Sequence, residues 1–147
     1  MCRRIAIACD HAGNEYKDAL ICHLRERGFE VTDYGCDGSC SVNYPEYAHY
    51  VCKAIQDGNA DLGILICGTG IGMSMAANKH KGIRAAVCDN EFSTEMTRRH
   101  NDANVLCMGA RVISREIALK LADIFVDSGF DGGRHAIRVD MLNELDS

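Results

Sequence analysis

Unbroken apolar runs alternate with amphipathic stretches along the 147 residues of this chain. Ile5-Ala-Ile-Ala-Cys9 and Leu62-Gly-Ile-Leu-Ile-Cys67 read as strands buried on both faces; Ile83 to Cys88 and Val105-Leu-Cys-Met108 are two further strands. Phe29-Glu-Val-Thr-Asp-Tyr34 alternates, as a half-exposed strand does. From Gly13 to Arg27, Tyr16, Leu20 and Leu24 recur every fourth residue, which predicts a helix stopped by Gly28. Pro45 suits the first turn of a second helix that carries Val51 and Ile55 inward and ends at Gly58. A third helix passes through Ala76, Ala77 and Lys79, and a fourth runs from Glu91 to about His100 with Phe92 and Met96 on one face. Ser114 caps a fifth, which holds Ile117, Leu121, Ile124 and Phe125 and is closed by Gly129. The polar stretch from Gly35 to Tyr44 reads as a loop. Strand and helix alternate five times, so the expected fold is α/β: a Rossmann-like three-layer sandwich with a five-stranded parallel sheet. No repeat or linker divides it, and residues 1–147 read as a single domain. Residues 128–147 form a C-terminal helical extension, with Ile137, Met141 and Leu145 on one side, expected to cross to a second copy of the chain.

In an open parallel sheet, ligands bind at the carboxyl ends of the strands. Asp10-His11 follows the first strand, Cys67-Gly68-Thr69 the third, Asp89 the fourth and Gly109-Ala110-Arg111 the fifth, so all four share one edge. Gly68, Gly70 and Gly72 let the main chain turn its N–H groups inward, a concavity that binds anions at the start of a helix. Cys67 sits at its mouth, where such a setting favours the thiolate; the plainer alternative is a buried, inert thiol. Thr69 either caps the turn or holds a substrate oxygen. Asp10 and His11 are either an acid/base and hydroxyl-binding pair or a helix cap beside a surface histidine. His100-Asn101 lies after a helix and before the fifth strand, at the opposite edge. A catalytic His100 would therefore come from a neighbouring subunit, which motivates a homodimer with shared sites. Arg134 and Arg138 are four apart and leave one helix face. Alone they read as a solvated patch; beside Arg111 and His11 they suit a clamp for a phosphate dianion. His23, His49 and His80 read as surface residues, and Lys53, Lys79 and Lys81 as solvated charges.

A formal charge of −5 argues against a nucleic-acid or anionic-membrane partner, either of which calls for a basic face. No apolar run approaches a membrane span and Met1-Cys-Arg-Arg lacks the apolar stretch of a signal peptide, so a cytoplasmic protein is expected. Nine cysteines, odd in number and without a Cys-x-x-Cys pair, do not suit a disulfide framework. Cys36 and Cys40 could be half a zinc site, but no second pair of suitable spacing accompanies them, so no metal is expected. Cys22, Cys52, Cys88 and Cys107 read as small hydrophobes on apolar faces or in strands. Other glycine-turn chemistries fit less well. A Cys-x5-Arg phosphatase loop needs arginine where Met73 stands, and a P-loop needs a lysine that Met73-Ser74 lacks. The dinucleotide fingerprint is closer, with Asp89 ending the next strand, but its glycine spacing differs and it gives Cys67 no task.

Cys9-Asp10-His11-Ala12-Gly13, Asn43-Tyr44-Pro45-Glu46-Tyr47-Ala48, Ile66-Cys67-Gly68-Thr69-Gly70-Ile71-Gly72, Arg98-Arg99-His100-Asn101-Asp102 and Gly132-Gly133-Arg134-His135 are five distinctive segments. Together they resemble the ribose-5-phosphate isomerase B family, which includes isomerases of allose and galactose 6-phosphates. The resemblance covers nearly the whole chain, in order. It implies interconversion of ribose 5-phosphate and ribulose 5-phosphate without metal or cofactor, in a homodimer or a tetramer of dimers. It also implies roles: Cys67 as the base that moves a proton between C1 and C2 through an enediolate, and the N–H groups of Gly68, Thr69, Gly70, Ile71 and Gly72 holding the oxyanion, with Thr69 assisting. His100, helped by Asp10, would open the sugar ring. Asn101 and Tyr44 would contact sugar hydroxyls, and His11, Arg111, Arg134 and Arg138 would bind the phosphate. Two positions depart from the family pattern. Asn43 stands where aspartate is frequent, and Met73 stands where one branch places a glutamate base, which leaves the base role to Cys67.

Overall fold

The computed structural model describes residues 3–146; the reading of the Met1-Cys2 start lies outside them. In chain order the elements are β1 (Arg4–Cys9), α1 (Asn14–Glu26), β2 (Glu30–Asp33), α2 (Tyr44–Gln56), β3 (Leu62–Cys67), α3 (Ile71–Ala77), β4 (Ala85–Val87), α4 (Glu91–Asn101), β5 (Val105–Gly109), α5 (Arg115–Asp127) and α6 (Arg134–Glu144). The strands form one sheet in the order β2-β1-β3-β5-β4, every neighbouring pair parallel. This is the α/β sandwich expected from the alternation of strand and helix.

The period-two geometry of the strands sorts their side chains into two cores. Ile5, Ile7, Ile64, Ile66, Leu106 and Met108 pack on one face against Leu20 and Leu24 of α1 and Leu121 and Phe125 of α5. Ala6, Ala8, Leu65, Cys67, Val105 and Cys107 face the other way, against Ala48 and Val51 of α2 and Met73 and Ala77 of α3. A β-carbon at Gly63 would stand 2.6 Å from Val51 Cγ1, so glycine there lets α2 lie close on the central strand. Pro45 falls in the first turn of α2, and the Ser114 hydroxyl accepts from Ile117 N at the start of α5, as the sequence predicts.

The structure corrects several local expectations. α4 buries Thr94, Thr97 and Arg98, while Phe92 is 72% exposed. The buried arginine is satisfied: its Nη1 donates to Asp102 Oδ1 at 3.2 Å and its guanidinium lies 5.5 Å from the centre of the Phe125 ring. Cys22 is exposed, because two residues at 100° each carry it to the far side of the helix from Leu20. The histidines read as plain surface groups have partners: His23 Nε2 lies 2.9 Å from Asp123 Oδ1, and His49 Nδ1 lies 2.9 Å from His80 Nε2. Among the described residues, no helix is long and apolar enough to cross a membrane.

α6 meets its own chain at α4 and at the sheet edge beside β4. Val139 is buried, Arg84 Nη1 donates to Asn143 Oδ1 at 3.0 Å, and Gly82 N donates to Asp146 Oδ2 at 2.7 Å. The Ile137, Met141 and Leu145 stripe stays uncovered, Leu145 being 81% exposed.

Lys17 is the least expected interior residue, at 2% exposure. Its Nζ donates to both carboxylate oxygens of Asp33, each at 2.8 Å, and Asp33 Oδ1 also accepts from Gly35 N at 2.8 Å. The pair thereby fixes the chain as it leaves β2. Asp33→Ala leaves a buried ammonium without its nearest counter-ion and is expected to cost about 2 kcal/mol, whereas Lys17→Met is expected to cost less. Urea denaturation of the two variants checks the order.

Candidate active site

The sheet register brings three strand ends to one level. Cys9 pairs with Ile66, and Cys67 with Gly109, so Asp10, Cys67 and Gly109 line the same carboxyl edge. Asp10 N donates to Ile66 O at 3.0 Å, while its carboxylate accepts from Ala12 N at 2.9 Å and is held at the turn into α1. His11, next along, is exposed.

The chain after Cys67 folds down onto β5. Ala110 N donates to Cys67 O at 2.9 Å and Arg111 N to Gly68 O at 3.0 Å. Gly70 has φ +82°, in the left-handed region that favours glycine, and a β-carbon there would lie 2.9 Å from the Met108 carbonyl carbon. Within this turn Gly70 N donates to Cys67 Sγ at 3.1 Å and Ile71 N to Thr69 Oγ1 at 3.2 Å. Because α3 has only seven residues, the turn's own amides contribute more here than a summed helix dipole. The Arg111 guanidinium lies against Gly68, with Nη1 3.1 Å from where a β-carbon would stand, and the Tyr44 ring lies closer still over Gly72, at 2.7 Å from the corresponding point. A cavity of ≈ 260 Å³ opens beside Thr69 and Ile71, walled by Cys88, Asp89 and Gly109. Asp10, His11, Tyr44, Cys67, Gly68, Thr69, Gly70, Ile71, Gly72 and Arg111 thus form one group at the carboxyl edge.

Cys67 is buried like the other interior thiols, and its position sets it apart, since it ends the central strand at the mouth of this turn. Desolvation pushes the Cys9 and Cys52 thiols up to about 12 and raises Cys88 and Cys107 as well, which keeps all four neutral at physiological pH. Cys36 is buried beside Cys9, and Cys40 is exposed next to Ser39, so the two do not converge as metal ligands.

The remaining predicted residues lie elsewhere. α4 starts at the carboxyl edge, where the Asn90 side chain caps it, and its 11 residues carry the chain about 16 Å back across the sheet. His100 and Asn101 occupy its last turn, which Asp102 closes at φ +46°. Asn101 lines a separate cavity of ≈ 480 Å³ with Arg84 and Leu142. Arg134 and Arg138 project from the first turns of α6 as exposed charges. Beside them, His135 stacks on His100 with ring centres 4.1 Å apart and planes 7° from parallel. His135 belongs to a segment singled out in the sequence, yet only its stacking in space marks it as a candidate. His100, Asn101, Arg134, Arg138 and His135 form a second group, remote from the first within one chain.

A family profile described as Ribose/Galactose Isomerase matches residues 5–142. An isomerase of the α/β type is therefore the class that fold and site define, and the chain belongs to the ribose/galactose isomerase family. It is 45% identical to ribose-5-phosphate isomerase B of Escherichia coli K12 over 98% of this chain and 97% of that one. The solved ribose-5-phosphate isomerase B of Clostridium thermocellum superposes with a TM-score of 0.95 at 46% identity, covering 97% of this chain and 96% of that one. The structure of ribose-5-phosphate isomerase B from Mycoplasma genitalium with bound ribulose-5-phosphate gives 0.91 at 40% identity, covering 96% and 94%.

Gly70→Ala forces a side chain into both an unfavourable backbone region and the β5 main chain. It is expected to lower stability by about 1–2 kcal/mol or to displace the turn, read by urea denaturation together with loss of sugar-phosphate turnover.

Proposed function

We propose that the chain interconverts ribose 5-phosphate and ribulose 5-phosphate through a 1,2-enediolate, in a site assembled from two copies. The observation that carries this reading is the division of the site residues into two groups at opposite ends of α4. Each group alone lacks half of what the reaction requires. One has the thiol and the amide cradle; the other has the exposed imidazole and two guanidinium groups. A homodimer that brings the carboxyl edge of one copy to the α4–α6 end of the other completes both. The uncovered Ile137, Met141 and Leu145 stripe on α6 supports such an association, as does exposed Phe92. The family membership and the ribulose-5-phosphate bound to the Mycoplasma genitalium relative support the substrate.

His100 of one copy donates a proton to the ring oxygen as the C1–O bond breaks. The anomeric hydroxyl gives up its proton to Asp10 of the other copy, leaving the open-chain aldehyde. Cys67 then removes the C2 proton and returns it to C1, while the hydroxyl proton of O2 passes to O1, so that O2 becomes the ketone and O1 the hydroxyl. Negative charge develops on the adjoining oxygens beside the N–H groups of Gly68 to Gly72, with Thr69 assisting. Donors so placed contribute on the order of 3–4 kcal/mol each in comparable sites. The Gly70 N–H contact to Sγ strengthens when the sulfur is charged. Tyr44 and Asn101 meet sugar hydroxyls, and His11 and Arg111 with Arg134 and Arg138 hold the phosphate, whose binding energy fixes the reacting carbons. Moving a proton between neighbouring carbons involves no net oxidation, so the scheme calls for no redox cofactor and uses no metal.

Cys67→Ala is expected to lower ribose 5-phosphate turnover by about 10³-fold or more while substrate binding survives; unchanged activity would instead favour a non-catalytic nucleotide-binding domain. Mixing Cys67→Ala chains with His100→Ala chains is expected to restore about a quarter of wild-type activity, since half the dimers regain one intact site. No recovery after subunit exchange would exclude shared sites. Arg138→Ala is expected to raise KM about 10-fold or more, as loss of a charge-assisted phosphate contact does. A coupled assay of ribose 5-phosphate against allose 6-phosphate decides between pentose and six-carbon sugar phosphates.

A further inference from the structure

His100 sits in a constructed environment rather than on a bare helix end. Asp131 N donates to Arg99 O at 2.9 Å, and Asp131 Oδ1 accepts from Arg99 Nε at 3.1 Å, so the chain before α6 is stitched to the last turn of α4. Gly132 and Gly133 then adopt φ of +69° and +57°, and His135 N donates to Gly132 O at 3.1 Å. This tight turn lays the His135 ring flat on His100. Asp131 Oδ2 stands 3.9 Å from His100 Nε2, at the edge of the same imidazole. The His100 side chain is otherwise 39% exposed, and without such a wall it would distribute over several rotamers.

The ligand atoms of His100, Asp131 and His135 lie within 4.8 Å of one another, which invites a metal ion. Two imidazoles with planes 7° from parallel, stacked face to face, direct their nitrogen lone pairs along parallel planes rather than toward a common point. Asp131 is already engaged by Arg99, and Arg134 and Arg138 add positive charge beside the cluster. The arrangement suits proton handling better than cation binding.

We infer that His135 is a positioning residue for His100: its stacked ring fixes the plane of the His100 imidazole so that the proton is delivered in line with the ring oxygen of the sugar. The inference rests on the reading of His100 as the ring-opening group. Two imidazolium rings face to face repel. Partial burial, with the adjoining His100, Arg134 and Arg138, holds His135 below the ordinary histidine range, while Asp131 opposes them. The charged groups around the pair are Glu95 and Arg99 of α4, Asp131 of the connecting turn, and Arg134 and Arg138 of α6.

The test separates ring opening from proton transfer between carbons. Ribulose 5-phosphate has no furanose form, because its C5 oxygen carries the phosphate; uptake of solvent deuterium at its C1 therefore reports on the Cys67 step alone. His135→Ala is expected to lower kcat for ribose 5-phosphate about 10- to 100-fold, as a misaligned catalytic group does, and to leave deuterium uptake within about twofold of wild type. His135→Phe restores a flat wall and is expected to recover most of the lost kcat. Equal loss of turnover and deuterium uptake in His135→Ala, a defect confined to KM, failure of the Phe variant to recover, or unchanged turnover would each overturn the inference. His100→Ala measured alongside keeps the two claims distinct. If that variant retains ribose 5-phosphate turnover, the ring-opening role itself fails; if it loses turnover while His135→Ala does not, only the stacking role fails.

Discussion

No side chain fits between the carboxyl end of β5 and the turn that leaves β3. A β-carbon at Gly109 would stand 2.6 Å from the Thr69 carbonyl, and one at Gly70 would meet the Met108 main chain. That exclusion lets residues 68–70 lie on the neighbouring strand, where Ala110 N and Arg111 N hold them. The positions of the Cys67 sulfur, the turn amides and the Arg111 main chain relative to one another therefore follow from sheet register. A site that must meet a developing charge without reorganising benefits from being anchored this way.

α4 sets the other dimension of the proposed site. It departs from the carboxyl edge and deposits His100 and Asn101 at the far end, where α6 brings two arginines and His135 to meet them. Within the helix Thr94 Oγ1 donates to Asn90 O at 2.7 Å and Arg98 pairs with Asp102, while the Arg98 guanidinium lies over the Phe125 ring of α5. Arg84 adds a second hold, with Nε donating to Asp102 O at 3.0 Å. The turn bearing His100 is thus fixed by directional bonds, which specify orientation more narrowly than apolar packing does.

Elements whose side chains follow one rule were legible in the sequence. The runs at Ile5 and Leu62 could be little other than central strands, and the carboxyl-edge group followed from strand ends alone. The opposite placement of His100 followed equally from its position after a helix. α4 misled because its buried stripe is Thr94, Thr97 and Arg98, and periodicity counts polar residues as outward-facing. Lys17 was invisible for the same reason, its burial depending on Asp33, a strand away. His135 carries no pattern of its own; its relation to His100 exists only once Asp131 has been tied to Arg99.

The two borders of the sheet restrict how chains can associate. β2 exposes Glu30, Thr32 and Asp33, and β4 is three residues long with the end of α6 and Asp146 near its flank. Short or charged margins discourage a neighbouring molecule from adding its own strands through main-chain bonds. Any assembly of this protein is thereby steered toward helix-to-helix contact, and a continuous intermolecular ribbon, the usual first step toward fibrous aggregates, finds no template here.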